Sequence, residues 1–335
     1  MSSLVKRCGR KLKNSVLTNW YEHKYSFPDL LDETCYKEKA EKLQRISSGD
    51  GKKVFFIMQR SLSGMGLYTY VCVFISFIAY AVDNGMIPVV DLKNSPNIYL
   101  PENNTEGINA WELFYQQPCG YTLETIPRDA EMIYSSPVYL PDRTPFLKSM
   151  NDEREWKLYA KIYKDFIRLN NTSKQYVEKE EAELLRGRKV LGVLCRGTDY
   201  TLHHPKNHPV QPEVDAVIKK VGEIFDQYEY IYLATEEERI TECFEKAFPG
   251  KILVNKRMYY DTAGLDFSKS LVGDVKFDRT NDHYFRGMEY LSSISLLSKC
   301  SGFIGGACAG TYAAVIMNDF QYQYRYVFDL GYYTG

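Results

Sequence analysis

The sequence predicts an α/β protein of two Rossmann-like domains, the C-terminal one a parallel sheet covered by helices on both faces. Two observations carry this. From Val190 onward, short runs of continuous apolar residues alternate with amphipathic stretches, which is how strands buried on both faces and their covering helices read. Earlier, "VFFIM" at 54–58, a glycine-containing loop, a long apolar segment and "GMIPVVDL" at 85–92 follow one another. That order of strand, helix and strand is a βαβ unit.

In the first half, the segment 68–82, "YTYVCVFISFIAYAV", is short for a bilayer crossing and reads as a buried helix. A glycine stands where that helix should stop, and the next strand ends in Asp91. Residues 109–123 form an aromatic stretch broken by Pro118, Cys119 and Gly120. Residues 151–169 read as a helix, with Trp156, Tyr159, Ile162, Tyr163, Phe166 and Ile167 apolar at helical spacing. The charged run 178–189 is taken as the hinge. The expected division is a basic lead-in at 1–50, an α/β domain at 51–185 and a Rossmann-like domain at 186–335.

In the second half the order is regular. Strands are expected at 190–195, 230–234, 251–254, 302–306 and 325–330, and helices at 214–225, 237–248, 285–300 and 310–318. In the helix at 214–225, Val214, Val217, Ile218, Val221, Ile224 and Phe225 share one face.

Composition narrows the function classes. Of 335 residues, 44% are apolar and 25% charged, and the net charge is −1, so no global field favours nucleic acid. None of the eight cysteines forms a C-x-x-C pair, which argues against a zinc site and a disulfide framework and points to a reducing compartment. The basic start is not followed by an apolar h-region, so no signal peptide is expected. A cytoplasmic protein is the expectation. Lys6, Arg7, Arg10, Lys11 and Lys13 make the first residues a candidate for peripheral contact with an anionic inner membrane face; a solvated terminus is the alternative.

In open parallel sheets, ligands collect beyond the carboxyl ends of the strands. Three such ends carry suggestive chemistry: Arg196-Gly197-Thr198-Asp199, Thr235-Glu236-Glu237, and the small residues 305–311. Arg196 offers a planar, permanently charged fork suited to phosphate, or it forms an ion pair with Asp199. The run from Gly305 through Ala309, Gly310 and Thr311 opens a helix whose N-terminus attracts anions. Its small residues serve either close ligand approach or helix packing. Glu236 and Glu237 can accept from a base or ribose, or simply favour a helix N-terminus. Gly64 and Gly66 allow close backbone approach to a ligand, but they do not complete a G-x-G-x-x-G. That omission speaks against a dinucleotide-dependent oxidoreductase.

These three segments, in order over about 190–318, resemble those of the fucosyltransferase superfamily of GT-B glycosyltransferases, in particular the α1,6-fucosyltransferases and the nodulation fucosyltransferase. "LCRGTDY" is similar to the family's strand-end motif, "IYLATEEE" to its second motif, and 285–318 to its helix–strand–turn–helix. Residues 61–92 resemble the glycine loop and helix that open its other domain. Leu194 stands at the family's guanine-contacting histidine, and Gly197 at its second arginine. The acid at the base-contact position is Glu236 or Glu237.

The resemblance implies two Rossmann-like domains facing a cleft, with the acceptor on the N-terminal side. It implies inverting transfer from a nucleotide diphosphate sugar, GDP-fucose in the family, to a hydroxyl of a glycan, lipid-linked or free, in polysaccharide biosynthesis. It further implies that Arg196 binds the β-phosphate. No D-x-D motif is present, so transfer without a metal or other cofactor is expected. Asp199, His203 and His204 are the candidates for the general base, and Arg286 is a candidate second cation near the diphosphate. A non-catalytic nucleotide- or carbohydrate-binding homologue is the alternative.

Overall fold

The computed structural model describes residues 36–45, 52–60, 64–101, 103–137, 140–141, 143–147, 150, 152–197, 204, 206–260 and 275–334. The basic segment around Lys6–Lys13 lies outside these residues, as do Asp199 and His203. The chain divides into two compact units. One comprises Met1–Ser63, Tyr70–Asn97 and Gln116–Arg168. The other comprises Gly64–Thr69, Ile98–Tyr115 and Leu169–Gly335, so its continuous run begins ahead of residue 186 and it also takes in parts of the first half.

The first unit is built on a three-stranded parallel sheet of β1 (Val54–Gln59), β2 (Ile87–Asp91) and β3 (Glu131–Tyr134), in the order β2-β1-β3. Helices α1 (Tyr36–Arg45), α2 (Leu67–Asp83, from Tyr70 onward) and α3 (Glu153–Phe166) belong to it. Phe55, Ile57, Ile87 and Val89 form a core on one side of the sheet. On β1, the Phe56 ring meets Phe77 and Tyr80 of α2 at 5.7 and 5.4 Å. The long apolar segment is thus a buried helix, and no helix among the described residues is long and apolar enough to cross a membrane. Gly85, at φ 71°, ends α2: its N–H and that of Met86 reach back to Val82 and Ala81. At the end of β2, Asp91 accepts hydrogen bonds from Gln59 Nε2 (2.6 Å) and the backbone N–H groups of Lys93 and Asn94.

The second unit carries a five-stranded, all-parallel sheet: β4 (Val190–Leu194), β5 (Tyr230–Ala234), β6 (Ile252–Leu253), β7 (Gly302–Gly306) and β8 (Tyr324–Phe328). The order is β6-β5-β4-β7-β8. Between them come α5 (Val214–Gly222), α6 (Glu238–Ala247), α7 (Asp282–Leu297) and α8 (Ala309–Met317). The expected apolar face of α5 meets the core: Val217 and Val221 are buried in it, with Val214, Ile218, Ile224 and Phe225 packed against it.

One expectation is corrected. The charged run read as a hinge is largely the last part of a helix, α4 (Asn171–Leu184), capped by Asn170, whose side chain accepts from Ser173 N at 2.8 Å. That helix is docked within the second unit rather than left as a linker. The buried Glu180 carboxylate accepts from Ser292 Oγ on α7 and from Lys256 N.

Candidate functional site

Strand order decides where this unit can bind. The chain leaves β4 toward β5 and β6 on one side, then returns to β7 on the other. The boundary between β4 and β7 is therefore the topological switch point, where doubly wound sheets take ligands. Leu194 is in register with both Ala234 and Gly305, so the three chain segments singled out from the sequence emerge side by side.

Arg196 follows β4, and its Nε lies 3.3 Å from Glu236 Oε1, with the two side chains 21% and 15% exposed. Glu236 is itself fixed, because its carbonyl accepts from Tyr260 N at 2.9 Å. Next door, Glu237 is buried, its backbone N–H donating to Thr235 Oγ1 at 3.4 Å and its carboxylate 3.5 Å from Arg239 Nη2. A Cβ on Gly197 would stand 2.2 Å from Glu237 Oε1. A side chain at position 197 would have to displace the end of the Glu237 side chain. Thr235 and Glu237, expected to contact a ligand, instead pack the base of the site; Thr235 is 2% exposed. Cys195 lies behind them, and burial, reinforced by the charges of Glu236 and Glu237, pushes its thiol up to about 12. Burial thus disfavours its thiolate form.

At the turn from β7 into α8, the packing alternative fits what the glycines meet. They make room for protein rather than ligand. A Cβ on Gly305 would meet Phe303 Cζ at 2.8 Å, and one on Gly306 would meet Gln211 Oε1 at 2.4 Å. One on Gly310 would meet Ile294 Cδ1 at 3.0 Å and the Tyr290 hydroxyl at 3.1 Å. Thr311 is fully buried, and its hydroxyl donates to Gly306 O at 2.5 Å, so it cannot serve as a ligand donor. What the turn keeps is the helix N-terminus at half-buried Ala309, preceded by an extended Cys308 that makes no side-chain cap bond. The positive end of the α8 dipole points there.

Two residues that sequence reasoning missed hold these pieces in place. Tyr290 on α7 touches the Gly310 position and also the Gly66 position, whose Cβ would lie 3.4 Å from Cε1. Its phenol is pushed well above the ordinary value by burial, with Cys308 raising it further and Arg196 acting in the opposite sense. Gly66 thus packs on a tyrosine, while Gly64 is exposed at the turn before α2. Gln211 is buried between prolines, and its Nε2 donates to Ala307 O at 2.8 Å. A polar side chain inside "PVQPE" was the available signal for it; nothing in the pattern marked Tyr290.

Of the three base candidates, only His204 falls among the described residues. It sits at φ 45° with its exposed ring stacked on Tyr333, centroids 4.7 Å apart. The loop around it is laced to the C-terminal segment by Asn207 N to Tyr333 O, Tyr333 N to His208 O and Val210 N to Gly331 O. Arg286 is neither a surface ion pair nor a lone cation. It is buried, and its Nη2 donates to Asp282 Oδ2 at 2.8 Å and to Val275 O. Arg279 joins Asp282 at 2.7 Å and also pairs with Glu289.

No protein-family model matches the chain, and no curated protein matches it by sequence. Solved structures do match. The NodZ α-1,6-fucosyltransferase co-crystallised with GDP superimposes with a TM-score of 0.51 at 14% identity, over 79% of this chain and 93% of that one. The fucosyltransferase NodZ from Bradyrhizobium gives 0.50 at 14% identity, over 79% and 94%. The chain has a fucosyltransferase fold. Within this fucosyltransferase-like, GT-B-type α/β architecture, Arg196, Glu236 and the start of α8 share one end of the five-stranded sheet.

Proposed function

We propose that this chain is a glycosyltransferase that moves a sugar, fucose from GDP-fucose, onto a hydroxyl of a glycan. The observation that carries the reading is Arg196 at the switch point, braced by a carboxylate and beside the N-terminus of α8. A guanidinium and a helix N-terminus together suit a diphosphate. The solved fold-mate holding GDP supports guanosine diphosphate as the nucleotide.

In this mechanism the acceptor oxygen attacks the anomeric carbon as its bond to the β-phosphate oxygen breaks, inverting the centre. The acceptor proton passes to Asp199, His203 or His204, and GDP departs with its charge held by Arg196 and the α8 N-terminus. Preorganised charge of this kind is worth roughly 3–4 kcal/mol per donor lost, so the reading includes transfer without a metal. The N-terminal unit takes the acceptor. The basic segment Lys6–Lys13 brings a lipid-linked acceptor at an anionic cytoplasmic membrane face within reach.

The test is thermal stabilisation by GDP, UDP, CMP and NAD, each with EDTA. A ligand at about 100 times its dissociation constant adds ~2.7 kcal/mol. GDP alone should shift the transition, and Arg196→Ala should sharply reduce the shift. Stabilisation by NAD alone would overturn the reading.

A further inference from the structure

We infer that Glu236 is a positioning residue for Arg196, rather than the acid that contacts the nucleotide base. The inference rests on the donor-site reading above and deepens it. Three observations lead to it. The Glu236 carboxylate accepts from Arg196 Nε at 3.3 Å. The pair is mostly shielded from water, at 21% and 15% exposure, where an ion pair is weakened less by solvent than on an open surface. Finally, the backbone that carries Glu236 is anchored, since its carbonyl accepts from Tyr260 N.

Adjacent carboxylates therefore lie against adjacent residues of the turn after β4. Glu236 bonds the guanidinium, and the Glu237 carboxylate packs beside Gly197. A hydrogen bond at Nε narrows the guanidinium's orientation, and paired N–H groups of a guanidinium suit two phosphate oxygens. Holding a long, rotamer-rich side chain in that pose removes an ordering cost that donor binding would otherwise meet. A base contact predicts something different: Glu236 would then discriminate among nucleotides without affecting a bare diphosphate.

The experiment measures binding of GDP, UDP and inorganic pyrophosphate to wild-type protein, Glu236→Ala, Glu236→Gln, Arg196→Ala and the Arg196→Ala/Glu236→Ala double variant. Glu236→Ala should weaken all three ligands by the same factor, about tenfold. Glu236→Gln keeps an oxygen that can accept from Nε and has nearly the same shape. It should stay within about threefold of wild type, and it carries the test should the alanine variant fold poorly. In the Arg196→Ala background, Glu236→Ala should change nothing further. Three results would overturn the positioning role: loss confined to GDP, tighter binding on removing the carboxylate, or an undiminished effect without Arg196. A wild-type protein that binds none of the three ligands sinks the donor-site reading itself, and this inference with it.

Discussion

The Glu237 carboxylate occupies the space where a side chain at residue 197 would begin, with a Cβ there only 2.2 Å from Oε1. In the sequence, Gly197 reads as the loss of an arginine. In the fold, it is one half of a fitted pair whose other half comes from the turn between β5 and α6. The turn after β4 keeps one cation, Arg196, and uses the neighbouring position to seat a buried acid.

Gly197→Ala should therefore lower stability by about 1 kcal/mol, since the buried end of the Glu237 side chain must shift to admit the methyl. Shortening the acid should relieve it: in Gly197→Ala/Glu237→Ala the cost should fall below the sum of the single changes, since the two side chains contend for one space. Urea denaturation of the four proteins of this cycle reads the coupling directly. Strict additivity would mean that the carboxylate swings away freely.

At the other edge of the site, Gly310→Ala would press its methyl against Ile294 and Tyr290. A cost of about 1–2 kcal/mol is expected, while the preference among GDP, UDP and CMP should stay as in wild type. Thr311→Val should cost ~2 kcal/mol by leaving the Gly306 carbonyl without its hydroxyl donor, and Thr311→Ser should recover most of it. A Gly310→Ala protein of unaltered stability that no longer binds GDP would return that glycine to the ligand.

These glycines mark the limit of what the sequence shows. The second unit was legible because β4, β5 and β7 are buried on both faces and read as unbroken apolar runs. β3, "EMIY", was not, because it is an edge strand whose residues are mostly exposed. α4 looked like a linker because its few buried positions, Ser173, Val177 and Glu180, include only one apolar side chain. In the site, Arg196 could be found from its place at a strand end. Whether the small residues at 305–311 faced a ligand or a neighbouring helix could not be decided, since both demand the same lack of side chain. Three-dimensional packing decides it, through Gln211, Ile294 and Tyr290.

Cys195 lies one residue from Arg196, yet its thiol should be inert. Burial holds it protonated, up to about 12, and the thiolate is the reactive form. Native protein treated with iodoacetamide at pH 8 should show no label on Cys195 by peptide mapping, and denatured protein should show it fully. Labelling in the native state would mean that the turn opens.

The acid side of the stability profile should depend on Asp282. Burial opposes ionisation of its carboxyl, but hydrogen bonds from Arg279 and Arg286 outweigh that and hold it below the ordinary carboxylate value. A folded-state value lower than the unfolded one means that the unfolded chain binds the proton more readily. The resulting stability is complete above the unfolded value of about 3.9 and drains away as pH falls through the folded value. At pH 7, Asp282→Asn should be destabilised by about 2 kcal/mol, because buried Arg286 and half-buried Arg279 lose their shared counter-charge. Lowering the pH below ~4 should narrow the gap between the two proteins, as protonation brings the wild type toward the variant's neutral side chain. Urea melts at pH 7, 5, 4 and 3 give the profile. A gap that stays constant down to pH 3 would show that Asp282 acts there through shape alone.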